Sequence, residues 1–460
     1  MTAGDAGSGF SDGQVTVASA LPVTSDADLN RASARILIAK LRQGQISACE
    51  LMTACLDRIA AREPQIRAWA FLDAARALEQ ARLVDRQRAE GRPLGSLHGL
   101  PVGVKDVFDT HDMPSEYGSE TLRGRQPTTD AAAVAMLRRA GAIVVGKTTT
   151  SEFGMYHPSP TRNPHDLSRS PGVSSAGSAA AVADHMVPLA LGTQHTASTT
   201  LPASFCGVFA YKPSLGFTSM AGSNVLVPRM AHLGLLARST ADLALFAGAF
   251  DPVLGDIALN PPTPRLGLVK GPGWASVDDG AREAFEAFVE ALPMKIASIE
   301  LPREFDRAID VTFGLLNAHL AYRFGSEPDE IRHRYCRPLQ DGIAAGRTIS
   351  AADYLASDAL ADRLVELASH LFAAHDALIT LSAPTEATRI EDGPGSGVMS
   401  MPWSLCGLPT VSLPLLRGRQ GLPIGIQLIG RHGGDRDLLC IAGWLETIAF
   451  RGSTAMEATN

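Results

Sequence analysis

The chain has 460 residues, 45% apolar and 19% charged, a balance that supports a large buried core and excludes disorder as the main state. Forty-one Lys and Arg against 48 Asp and Glu leave a net charge of −7, so no basic field exists to hold a nucleic acid or an anionic membrane. The first basic residue is Arg31, no apolar run precedes it, and nowhere do about 18 apolar residues run together. Neither a secretory signal nor a membrane span is expected, and the chain reads as cytoplasmic.

Residues 1–24 are rich in Gly, Ser, Ala, Thr and Asp without apolar periodicity and read as a loose tail; 25–460 read as one domain. Apolar residues recur at helical spacing over 28–41, Ser47 and Glu50 form a capping box for the next helix, and 73–90 reads as a long helix. Short apolar runs at 101–104, 142–145, 187–191, 266–269 and 377–381 then read as buried strands. Helical patterns at 131–140, 240–250 and 279–292 alternate with them, which argues for a wound α/β sheet. Residues 305–372 are mainly helical and read as an insertion or lid. The six cysteines lack disulfide-framework spacing and the 12 histidines lack ligand spacing, so reduced thiols and no metal centre are expected.

Four stretches carry candidate chemistry. Gly141, Gly146, Lys147 and Thr148 fit the phosphate-loop string, but Ile143, Val144 and Val145 form a strand inside it, where a phosphate loop needs flexible residues, so nucleotide binding is rejected. Ser174 and Ser175 lie in a Gly/Ser run entering the small-residue stretch 179–183. That run reads as a turn with a helix cap, and Ala176 stands where a nucleophile elbow requires Gly. Small and hydroxyl residues from Gly192 through Thr193, His195 and Ser198 to Gly207 follow a strand directly, as a ligand loop or a packing connection would. Finally, Lys105 ends an apolar strand in a chain with six lysines against 35 arginines. A desolvated Lys can lose its proton where Arg cannot, so it reads equally as an amine base or as the ion-pair partner of Asp106.

Together these stretches resemble the amidase signature family of serine hydrolases. The resemblance rests on 99–106, the Ser151 loop, 161–164, Ser174 and Ser175 with the Ala-rich helix, 192–213, 235–239, 403–409 and 421–430, in that order and spacing. It implies an α/β/α sandwich with a large mixed central sheet covered by helices on both faces. It also implies a triad of Lys105 as base, Ser174 after a cis peptide as relay, and Ser198 as nucleophile. Backbone N–H groups of His195, Thr196, Ala197 and Ser198 would form the oxyanion hole, and Met155, Tyr156 and Ser175 would line the substrate pocket. The chain departs from the family where Thr196 and Ala197 replace small glycine-type residues, where Thr200 and Leu201 replace an Arg, and where Val173 replaces Gly.

The chemistry implied is hydrolysis of small linear amides through an acyl-enzyme, with no cofactor or metal, on a small-molecule amide or carbamate, by a monomer or homodimer. A carbamate or ester hydrolase would use the same triad. Further readings are a non-catalytic binding protein and an amidotransferase A-type subunit. His195 reads as a pocket wall or backbone donor rather than a triad base, and Lys212 as structural.

Overall fold

The computed structural model describes residues 26–259 and 261–457. The tail reading for 1–24 lies outside them. Eleven strands form a single sheet: β1 (Trp69–Leu72), β2 (Pro101–Lys105), β3 (Ile143–Thr148), β4 (Leu189–Gln194), β5 (Phe209–Lys212), β6 (His232–Ala237), β7 (Leu266–Val269), β8 (Ala297–Ile299), β9 (Ala377–Leu381), β10 (Thr410–Arg417) and β11 (Pro423–Ile429). Their order is β1-β3-β2-β4-β6-β5-β10-β11-β9-β7-β8.

The sheet is mixed, as expected. β3-β2-β4 and β9-β7-β8 are parallel blocks, and the pairs from β4 through β6, β5, β10 and β11 to β9 run antiparallel. Every residue of β2, β3, β4, β5, β6, β7, β9 and β11 is buried, so both faces of the sheet are covered. Fully covered strands read as continuous apolar runs, which is why β2, β3, β7 and β9 stand out in the sequence. β10 is harder to read because it contains Pro414. Its ladder with β11 shifts register between Leu413 and Leu416, a break that accommodates a residue without a backbone N–H.

The capping box is present: Ser47 Oγ accepts the Glu50 N–H at 3.0 Å and Glu50 Oε2 accepts the Ser47 N–H at 2.7 Å, opening the helix Ala48–Ile66. The 305–372 region holds helices Ala308–Phe324, Asp329–Arg332, Arg337–Gly346 and Ala351–His370. Phe305, Val311, Leu315, Leu320, Leu339 and Leu364 join the same core as the sheet. Arg229 ties this region to the sheet side through Asp358 at 2.9 Å and Asp362 at 2.5 Å. No helix among the described residues is long and apolar enough to cross a membrane.

Candidate active site

Lys105 is the last residue of β2 and is fully buried. Its Nζ lies 2.7 Å from Ser174 Oγ, 2.9 Å from Thr193 Oγ1 and 3.1 Å from Ser175 Oγ. Desolvation pushes its pKa well below the ordinary lysine value. Three hydroxyls can serve an ammonium as three acceptors, or a neutral amine as two acceptors and one donor. This shell therefore tolerates both states that a proton shuttle visits.

Of the two readings of Lys105, the ion pair with Asp106 is not formed. Asp106 Oδ1 instead takes Lys147 Nζ at 2.8 Å, and Lys147, like Lys105, has no exposed surface. Lys147 is thus a buried ion-pair lysine on β3, in keeping with rejection of the phosphate-loop string.

Ser174 follows a cis Val173–Ser174 peptide and precedes the helix Ala176–Ala183. The cis bond is the one the resemblance implied. Gly172 (φ 86°) backs onto the next segment, where a Cβ would lie 2.8 Å from Pro202 Cα, so only glycine allows this approach. The approach brings the Ser174 run against Ser198, and the Ser175 N–H donates to the Ser198 carbonyl at 3.2 Å. Ser198 is 7% exposed. Its hydroxyl makes no hydrogen bond to a described residue, so the implied Ser174–Ser198 side-chain bond is not formed in this conformation.

Between β4 and the helix Thr200–Cys206, the N–H groups of Thr196, Ala197 and Ser198 donate to no described residue. The Gln194 side chain holds this bend. Its Oε1 accepts from Thr199 N at 2.9 Å, Thr200 N at 3.0 Å and Thr200 Oγ1 at 3.2 Å, while its Nε2 donates to Ser404 Oγ at 3.0 Å. Ser404 Oγ in turn donates to the Thr196 carbonyl at 2.7 Å. Where the family places an Arg, this chain therefore closes a neutral network, and Leu201 packs in a small apolar cluster with Ala197, Phe205, Ala383, Ala387 and Leu422.

The pocket candidates separate. Tyr156 is half-buried, its Oη accepts from Thr196 Oγ1 at 3.4 Å, and burial pushes the phenol up to about 12. Met155 is 6% exposed within the main core, and Ser175 is fully buried against Lys105. Thr193 and Gln194 were missed in the sequence, since a hydroxyl or amide inside a small-residue run carries no signal of its own. His195 Nε2 accepts the Leu226 N–H at 3.1 Å and burial pushes the ring's pKa down to about 3, so the imidazole is neutral and spends one nitrogen on the backbone. Lys212 is fully buried, donates to the Leu408 carbonyl, and is pushed down to about 7 by burial.

A metal group of His111, Asp112 and Asp130 exists among the described residues. Its carboxylates are already engaged: Asp112 pairs with Arg76 and Arg138, and Asp130 with Arg138 at 3.0 Å. Those guanidiniums supply the charge a cation would, so the cluster does not read as a cation site.

An α/β protein with a large mixed sheet and a buried Lys-hydroxyl cluster at the ends of β2 and β4 is the class these observations define. The amidase family profile matches residues 50–439, and the chain belongs to that family, which acts on carbon–nitrogen bonds. The chain is similar to the A-type subunit of glutamyl-tRNA(Gln) amidotransferase from Trichodesmium erythraeum, at 32% identity over 84% of this chain and 91% of the relative. The corresponding protein of Geobacter sp. strain M21 is 30% identical over 88% and 94%. Among solved structures, the peptide amidase of Stenotrophomonas maltophilia superposes with a TM-score of 0.78 at 27% identity, covering 92% of this chain and 97% of that one. A further amidase structure gives a TM-score of 0.83 at 28% identity, covering 90% and 99%.

Proposed function

We propose that the chain hydrolyses a carboxamide through an acyl-enzyme on Ser198, with Lys105 as base and Ser174 as relay. The observation that carries this reading is the Lys105 Nζ to Ser174 Oγ distance of 2.7 Å, between buried groups with no carboxylate on the amine. A serine hydroxyl is a weak nucleophile at neutral pH and needs a base within reach, directly or through a relay. A rotation of the Ser198 side chain brings its hydroxyl to Ser174, and the proton passes from Ser198 to Ser174 as the Ser174 proton passes to the neutral amine. The carbonyl oxygen becomes an oxyanion facing the N–H groups of Thr196, Ala197 and Ser198, a contribution of about 3 kcal/mol per donor in comparable sites. On collapse, the Lys105 ammonium returns the proton through Ser174 to the leaving nitrogen, and water releases the acid.

Two readings share this chemistry: a free-standing hydrolase of small amides, and an ammonia-releasing A-type component of an amidotransferase. The curated relatives favour the second, because both quoted above carry that name and match over most of their length. In that reading the amide is glutamine and the chain works with protein partners. Ammonia release from glutamine and from simple amides by the isolated chain separates them: fast turnover of simple amides supports the free-standing enzyme, and turnover confined to glutamine supports the amidotransferase component. For either, Ser198→Ala abolishes labelling by a fluorophosphonate, and Lys105→Ala or Ser174→Ala slows it by about 10²- to 10⁴-fold. Normal turnover by Ser198→Ala sinks both.

A further inference from the structure

The turn that lies on the relay serine has a support of its own. Gly154 (φ 78°) rests against Ser174, so that a Cβ on Gly154 would stand 3.5 Å from Ser174 Oγ. Just before it, Phe153 has a left-handed backbone (φ 47°, ψ 19°), a conformation an aromatic residue keeps only where its surroundings over-determine it. The Phe153 N–H donates to the carbonyl of Tyr117 at 2.8 Å, and Tyr117 is itself left-handed (φ 53°). The Phe153 carbonyl accepts from Asn224 Nδ2 at 2.9 Å. Its ring packs on Phe324 at 4.8 Å and edge-on to Tyr335 at 5.8 Å, both from the helical region 305–372.

Glu152 opens this turn and is 8% exposed. Its Oε1 accepts from Ser119 Oγ at 2.6 Å and its Oε2 from the Cys336 N–H at 2.5 Å, with no ion pair to a described residue. One carboxylate thus ties the turn to the connection between β2 and β3 and to the start of the helix Arg337–Gly346. A buried carboxylate without a cation depends on each donor it has, so both bonds are held together. A serine side chain has three staggered positions. The Gly154 contact falls on Ser174 Oγ in the position from which it meets Lys105 Nζ at 2.7 Å.

We infer that Glu152 is a positioning residue for the relay: by fixing Phe153 and Gly154 it keeps the Ser174 hydroxyl on Lys105, ready to take the Ser198 proton as it gives up its own. The inference rests on Ser174 being the relay, as proposed above. The Glu152 carboxylate bonds only to Ser119 and Cys336 among the described residues and exchanges no proton in the reaction.

The test follows the rate of fluorophosphonate labelling at Ser198 in the full chain, with the labelled fraction recorded separately. Glu152→Ala is expected to slow labelling about 10- to 10²-fold, the range for a misplaced reacting group. Glu152→Gln, which keeps one acceptor oxygen, slows it less. In a Ser174→Ala background the same Glu152 substitutions are expected to change the rate by no more than about twofold, because the group they displace is gone. Partial unfolding lowers the labelled fraction in both backgrounds and does not produce this pattern. If Glu152→Ala does not fold, the Glu152→Gln pair carries the comparison. Equal slowing in both backgrounds, or an unslowed Glu152 variant, overturns the inference and leaves the hydrolytic reading standing. A Ser174→Ala chain that labels at the full rate overturns the relay and the inference with it.

Discussion

Asp106 and Lys147 form a buried ion pair at 2.8 Å, and this pairing leaves Lys105, the residue just before Asp106, without a carboxylate. The register of the parallel β2 and β3 strands explains the choice. Val104 stands opposite Lys147 and Lys105 opposite Thr148, so the two lysines project to opposite faces of the sheet. Asp106, one residue past Lys105, turns to the Lys147 side. Only hydroxyls then surround the Lys105 amine, and nothing offsets the desolvation that favours its neutral form.

The buried pair sets the first prediction. Asp106→Asn or Lys147→Met alone leaves an unpaired buried charge and is expected to cost about 3–5 kcal/mol. The double substitution, which removes both charges, recovers much of that loss. Urea unfolding midpoints of the three variants check this; equal loss in single and double variants would count against an electrostatic origin.

The pH dependence of Ser198 labelling follows from Lys105. Its pKa in the fold is depressed below the ordinary lysine value, so the neutral base is present above the depressed pKa and is lost as pH falls through it. Labelling is expected to hold steady through the alkaline side and to drop on acidification. Because His195 is pushed down to about 3, His195→Gln leaves the position of that acid limb unchanged. A limb that moves in His195→Gln would instead implicate the imidazole.

Thr193 Oγ1 holds the Lys105 amine at 2.9 Å from a strand the sheet fixes in place. Thr193→Val keeps the shape and removes the hydroxyl, at a cost of about 1 kcal/mol for one hydrogen bond. The expected result is a severalfold slower labelling with KM little changed. A larger loss restored by Thr193→Ser would show that the hydroxyl orients the amine as well as binding it.

A methyl at position 397 would lie 2.6 Å from the Ala197 Cβ and closer still to Tyr156 Oη. Tyr156 can swing aside, but Ala197 sits on the backbone that carries Ser198. Gly397→Ala is therefore expected to displace the oxyanion donors and lower kcat, and Tyr156→Phe in the same chain is not expected to rescue it. Activity rates of the single and double variants decide the point; full rescue by Tyr156→Phe would place the effect on the phenol instead.

Much of the local structure was legible because it rests on short-range physics. The Ser47–Glu50 cap needs residues three apart, and the apolar runs of β7 and β9 are found at the bounds the sequence suggests. Lys105 stood out as a rare lysine closing an apolar strand. β5, β6 and β10 were less legible, since their partners lie far away in the chain and Pro414 argues locally against a strand.

Residue order carried the family resemblance that names Lys105, Ser174 and Ser198 as candidates, because motif order and spacing are properties of the chain itself. Which carboxylate pairs with which lysine was decided by strand register. Thr193 and Gln194 gained their roles only when β4 was laid beside β2 and against the segment of Ser404. These are relations in space between residues up to 210 positions apart, which no local pattern encodes.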